Sequence, residues 1–279
     1  MRDVFRFWLF ACFSGWSVDK AYRILRSDPY WQDAVPSPAS VSRRTQGQEF
    51  DRYLSRFYRT LSRMALAHRV GDLRVLIIDS TAIEAPRDPD ARWGHTRDGP
   101  FLGYKLHFLV NSRGVPLAAW VSQGNRSDHN GVQPLIKEAK QVLATEALRG
   151  RVKFVLADSG YDGEEHYYLT SEAIGARFLA QDNPRNRQSK EPTVGVRREA
   201  FRLLKTKPGK KLMAKRSEIE RVFSQTNDPG GLNCEQLPRQ VRGKKKVRRY
   251  LMAKAIQYTC GIVDNILSGR KARTMTYAA

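Results

Sequence analysis

The spacing of apolar residues along the chain changes character near residue 70. Before that point it is helical. Val18, Ala21, Tyr22 and Leu25 recur at intervals of three and four behind Ser17, and Pro29 closes the segment. Ser37 followed by Pro38 reads as a helix cap and first helical residue. They open a short polar, basic stretch through Ser40, Ser42, Arg43 and Arg44. A longer helix is expected over residues 50–68, with Tyr53, Leu54, Phe57, Leu61, Met64 and Leu66 along it. Residues 5–16 are almost continuously apolar, yet too short to span a bilayer. No small-residue cleavage site follows before Asp19 and Lys20, so a buried helix is expected rather than a signal peptide.

Beyond residue 70 the pattern turns to strands. Val75, Leu76, Ile77 and Ile78 form an apolar run, mostly β-branched, that leads straight into Asp79. Residues 82–101 are polar and rich in Pro, Gly, Asp and Arg. They read as a loop, with Glu84, Asp88, Asp90 and Asp98 solvated. Residues 103–110 alternate as a strand, 111–114 form a hairpin turn, and 115–121 return. A helix is expected over 130–148. A second apolar run, 152–157, then ends at Asp158, and a turn leads into a helix from about Glu164. A last strand follows at 176–180. The order strand, hairpin, helix, strand, helix, strand implies a mixed sheet with a right-handed crossover, which is the ribonuclease H-like layout. The expected organisation is an N-terminal helical region over 1–70, an α/β domain over 71–268 and a tail over 269–279. Residues 183–211 form a basic insertion within the α/β domain.

Charge sharpens this picture. The 279 residues carry a formal net charge of +21. Such an excess opposes compaction and usually faces a polyanion, with nucleic acid the first candidate. The charge is clustered. Residues 183–216 hold twelve basic residues, among them Arg197, Arg198, Lys210, Lys211 and Arg216, against Glu191 and Glu199. A second cluster includes Lys244, Lys245, Lys246 and Arg248, with no acid between 239 and 254. Both suit contact with a phosphate backbone. The helix, turn and basic helix ending at Arg43 and Arg44 have the outline of a helix-turn-helix, or equally of a plain bundle with a basic surface. Cys12, Cys234 and Cys260 are odd in number and far apart, which suits a reducing cytoplasm and no disulfide framework.

The candidate chemistry sits on the two aspartates. If their strands are parallel neighbours, about 5 Å apart, Asp79 and Asp158 lie side by side at one sheet edge, where ligands of open α/β sheets bind. Two such carboxylates repel, and a divalent cation removes that cost. Further on, Ile219, Val222 and Phe223 mark the apolar stripe of a helix, and Glu220 flanks it. By pattern alone Glu220 reads either as a third acid turned into the cleft or as a surface partner of Arg216.

Four blocks taken in order resemble the insertion-sequence transposases of the DDE class. The residues 77–81 (IIDST) look like the family's first-aspartate strand. The residues 103–107 (GYKLH), followed by 114–117 and by Gly124 and Asn125, look like its hairpin block. The residues 156–162 (LADSGYD) look like its second-aspartate motif, and Arg216 with 220–223 (ERVF) looks like its glutamate helix. The resemblance implies that Asp79, Asp158 and Glu220 are catalytic and hold two Mg²⁺ ions, for which Mn²⁺ can substitute. The implied reaction is strand cleavage at element ends, then strand transfer into target DNA. It further implies double-stranded terminal inverted repeats and target DNA as partners, and a homodimer in a synaptic complex. A cytoplasmic, nucleoid-associated location without a membrane segment fits. Two family positions depart, being Met213 and Asn227 where a tyrosine and a lysine are common, and Lys105 is the candidate replacement for their phosphate contacts. The rival readings are a transposase-derived DNA-binding protein acting as a repressor, and another two-metal nuclease of the same fold.

Overall fold

The computed structural model describes residues 1–31, 34–68, 72–145, 147–148, 150–181, 195–228, 232–235 and 237–271. Four helices come first: α1 (Arg2–Phe13), α2 (Val18–Leu25), α3 (Pro38–Thr45) and α4 (Gln48–Ala67). The apolar run at the start is a helix buried on two sides. Phe5, Leu9 and Cys12 of α1 enter the main core, whereas Val4, Phe7 and Ala11 close a smaller one with Ala21, Leu25 and Val41. This double burial explains why the polar residues of α1 are confined to Arg2, Asp3 and Arg6, all exposed. Ser17 and Ser37 cap α2 and α3 as their sequences suggest, accepting from the amides of Lys20 and Ser40. The connection from α2 to α3 spans residues 26–37, longer than the three- or four-residue turn of a compact helix-turn-helix.

The sheet contains β1 (Val75–Glu84), β2 (Arg92–Thr96), β3 (Gly99–Asn111), β4 (Pro116–Gln123), β5 (Phe154–Ala157) and β6 (Arg177–Ala180). Its order is β2-β3-β1-β5-β6, with β4 also paired to β3. Strand β1 runs antiparallel to β3 and parallel to β5, and β5 runs parallel to β6. This mixed sheet, flanked by helices and preceded by the helical region, has the ribonuclease H-like α/β architecture. The β3–β4 turn is set by Asn111, whose side chain accepts from the amides of Arg113 and Val115, and by Gly114 at φ 78°.

The remaining helices are α5 (Val132–Val142), α6 (Glu164–Ile174), α7 (Gly195–Lys205), α8 (Lys207–Met213), α9 (Glu218–Asn227) and α10 (Lys244–Leu267). Short 3-10 turns occupy Asp128–Gly131, Ser159–Tyr161 and Ala214–Ser217. The expected loop and the expected helix over 130–148 change here, the helix ending at Val142. The expected loop 82–101 instead finishes β1, forms β2 and starts β3, because the paired backbones satisfy one another across a tight turn. The part of the basic insertion after residue 194 is helical, as α7 and α8; residues 183–194 and 272–279 lie outside the described residues.

Asp88 and Asp90 are not simply solvated acids. Asp88 is buried, accepting from Tyr104 Oη at 3.1 Å and from the Gly243 amide at 2.7 Å, and Asp90 accepts from the Lys244 amide at 2.9 Å. They satisfy the first free amides of α10 and offset the three lysines at its positive end. The two faces of the sheet then divide the work. Cross-strand register puts Asp79, Thr81, Leu106 and Phe108 on one face and Ser80, Lys105 and His107 on the other. Helix α9 covers the first face: Phe223 packs on Phe108, and Asn227 Nδ2 donates to Thr81 Oγ1 at 2.9 Å.

Candidate active site

Strand β1 delivers Asp79 because a β-branched apolar run is buried on both sides until the sheet edge is reached. Strand β5, in parallel register, ends at Ala157 and releases Asp158 one residue later. Ile77 is paired with Leu156, so Asp79 and Asp158, each two residues on, share a face. The structure thus brings these two expected acids together. Arg216, in the 3-10 turn before α9, stands between them: its Nη1 is 3.4 Å from Asp79 Oδ2 and 3.6 Å from Asp158 Oδ2.

The electrostatics of the pair are set by burial and by the Arg216 guanidinium. Burial pushes the Asp79 carboxyl up to about 6, aided by the nearby charges of Asp158 and Asp128. The Ser80 amide, donating to Asp79 Oδ1 at 2.8 Å, and the Arg216 guanidinium pull the other way. Asp158 is more open and accepts from Ser159 Oγ at 2.9 Å. Two carboxylates therefore share one positive group, and oxygen donors of this kind are the ligands that Mg²⁺ and Mn²⁺ take.

Glu220 is exposed, one helical turn beyond Arg216. Arg216, in the preceding 3-10 turn, touches Asp79, and Asn227 at the far end of α9 touches Thr81, but among the described residues Glu220 does not join the two aspartates in a donor group within 4.8 Å. Its neighbour Glu218 instead pairs with Arg221 at 3.4 Å. Asn227 thus docks α9 onto β1, a role that its sequence position did not disclose.

On the opposite face, sequence reasoning missed a polar brace. Asp128 accepts from both Ser80 Oγ and Lys105 Nζ at 3.0 Å. His107 is buried, with Nδ1 3.3 Å from Tyr161 Oη and Nε2 2.9 Å from Ser122 Oγ. This brace holds Ser80, the residue next to Asp79, in place. Its only sequence trace is the polar residues Ser80, Lys105 and His107 interrupting otherwise apolar strands.

The expected DNA-facing residues divide by burial. Arg43, Arg44, Arg198, Lys210, Lys211, Lys244, Lys245, Lys246 and Arg248 are exposed. Lys105 and Arg197 are not, which corrects the expectation for both. Lys105 is spent on Asp128, and buried Arg197 pairs with Asp162 at 2.7 Å, because a charge taken out of water needs a partner. Arg216 faces the carboxylates. Two separate basic segments also meet: Lys245 Nζ donates to the Gln46 carbonyl, and Arg249 pairs with Asp51 at 2.6 Å, so the start of α10 abuts the α3–α4 corner.

Fold and site together define a ribonuclease H-like domain with paired carboxylates at the ends of its central strands. Residues 71–260 match the Transposase DDE domain family, and the chain belongs to that family. It is also similar to a candidate transposase for insertion sequence element IS402 from Burkholderia cepacia, at 35% identity over 85 residues. That alignment covers 27% of this chain and 39% of the relative. Among the described residues no helix is long and apolar enough to cross a membrane.

Proposed function

We propose that the chain is a DNA transposase that cleaves strands at the ends of an insertion element and transfers them into target DNA. The observation that carries this reading is the shared approach of Asp79 and Asp158 to the Arg216 guanidinium. Asp79 and Asp158 would hold two Mg²⁺ or Mn²⁺ ions, and Glu220 would complete the set from α9. When bound, such ions supply Lewis acidity to an in-line phosphoryl displacement.

The chain's own residues do the rest. Asp79 and Asp158 provide fixed negative charge at a sheet edge that the core holds rigid. Arg216 balances that charge in the free protein, and with cations on the pair its guanidinium would be available to a phosphate oxygen. The exposed lysines at the start of α10, with Arg43 and Arg44 nearby on α3, offer a positive surface for the DNA backbone. Terminal inverted repeats and target DNA are the proposed substrates, and a synaptic homodimer is the proposed assembly.

The experiment is cleavage of a duplex carrying the element's terminal repeat. Asp79→Asn, Asp158→Asn and Glu220→Gln should each abolish Mg²⁺-dependent nicking while binding to the same duplex persists. Nicking that survives in Asp79→Asn or Asp158→Asn would remove the assignment.

A further inference from the structure

We propose that His129, Glu165 and His166 form a transition-metal site, suited to Zn²⁺, that ties the turn at Asp128–Gly131 to the first turn of α6. The donors come from two elements. His129 belongs to the turn, and Glu165 and His166 are adjacent on the helix. One donor atom from each of the three lies within 4.8 Å of the others. His129 Nε2 is 2.6 Å from Glu165 Oε1, and the two imidazole centroids are 4.1 Å apart. A tetrahedral zinc ion with bonds near 2.0–2.1 Å separates its donors by roughly 3.4 Å, so small side-chain movements would seat one.

The second observation is His166 itself. It is only 3% exposed, and neither ring nitrogen makes a hydrogen bond of good geometry, the His129 backbone being its polar neighbour. A buried polar side chain without a partner is costly, and a native one calls for an explanation. A metal ion on one nitrogen supplies it. The ion could enter, because His129 and Glu165 are 35% and 62% exposed on their side chains and open onto a cleft of about 500 Å³. Gly163 makes the cluster possible: a Cβ there would stand 2.4 Å from His129 Cε1 and 2.8 Å from its Nδ1. Two imidazoles and one carboxylate match the three-ligand sets that hold zinc with a fourth position open.

This cluster is separate from the Asp79 and Asp158 pair. Its turn meets the sheet on the face of His107, against which a Cβ at Gly131 would collide at 2.8 Å. A bound ion there would stiffen the turn that carries Asp128, and with it the support behind Ser80.

The test uses the full chain, stripped with a chelator and free of DNA, titrated with Zn²⁺ by calorimetry and with Co²⁺ by visible absorption. In the Asp79→Asn, Asp158→Asn chain, which lacks the carboxylate pair proposed above to take divalent ions, the expected result is one ion per chain, with the intense d–d bands of a four-coordinate cobalt centre. His129→Ala and Glu165→Gln, both at accessible positions, should each weaken binding by about tenfold or more while circular dichroism shows a folded chain. Asp79→Asn should keep the wild-type affinity at this one site. Absence of binding in the folded wild type would overturn the proposal. So would unchanged affinity in the His129→Ala, Glu165→Gln double variant, or loss of binding in Asp79→Asn.

Discussion

Arg216 Nη1 lies closer to Asp79, at 3.4 Å, than to Asp158, at 3.6 Å, although these residues are separated by 137 and 58 positions in the chain. One guanidinium thus serves as the counter-charge of two acids that face each other. Removing it in Arg216→Gln leaves the carboxylates to repel, and the free protein should lose about 1–2 kcal/mol at neutral pH. Added Mg²⁺ should then raise the thermal midpoint of Arg216→Gln by more than it raises that of the wild type. Differential scanning fluorimetry with and without Mg²⁺ checks this, and equal shifts would contradict the counter-charge role.

Lys105 and Asp128 form a brace on the other face. Lys105 is nearly enclosed, whereas Asp128 keeps some access to water. Lys105→Met should therefore cost about 2 kcal/mol, less than the loss of a fully buried partner, as read from urea midpoints. The same variant should leave the salt dependence of DNA binding untouched, since the ammonium is engaged by Asp128 and the side chain is only 10% exposed.

His107 gives the fold a pH dependence. Burial pushes it down to about 4 from its ordinary 6.5. Between those values the unfolded chain takes up a proton at this position and the folded chain does not. Its stabilising contribution is complete above pH 6.5 and is lost as pH falls toward 4, amounting to roughly 2–3 kcal/mol. Urea unfolding at pH 7 and pH 5 should show the loss in the wild type, and His107→Gln should reduce it, the remainder coming from His166, which burial also pushes down to about 4.

The exposed and buried arginines and lysines should behave oppositely. Lys244→Ala and Lys246→Ala should weaken binding to any duplex and reduce the slope of log affinity against log salt by about one each. Arg197→Ala should leave that slope alone and destabilise the fold by about 3 kcal/mol, because Asp162 would be stranded in the interior. Fluorescence anisotropy over a salt series, paired with thermal melts, separates the two classes.

The amino-acid sequence alone determined the elements whose signals are local. The β-branched runs ending in Asp79 and Asp158 read as strands because their apolar length and composition suit a doubly buried position. Ser17, Ser37 and Pro38 marked helix starts through contacts within four residues. The net charge and its two clusters needed no fold to be seen. Only the tertiary structure decided which charges meet water. Lys105 and Arg197 look like their basic neighbours along the chain, and become interior only because Asp128 and Asp162 are brought against them. Asp88 sits in a polar stretch, yet it caps α10 across 155 positions. Arg216 finds both aspartates, and His129 finds His166, by packing that joins distant elements. Local spacing carries the period of a helix or strand, but the partner that makes burying a charge tolerable is chosen by the assembled fold.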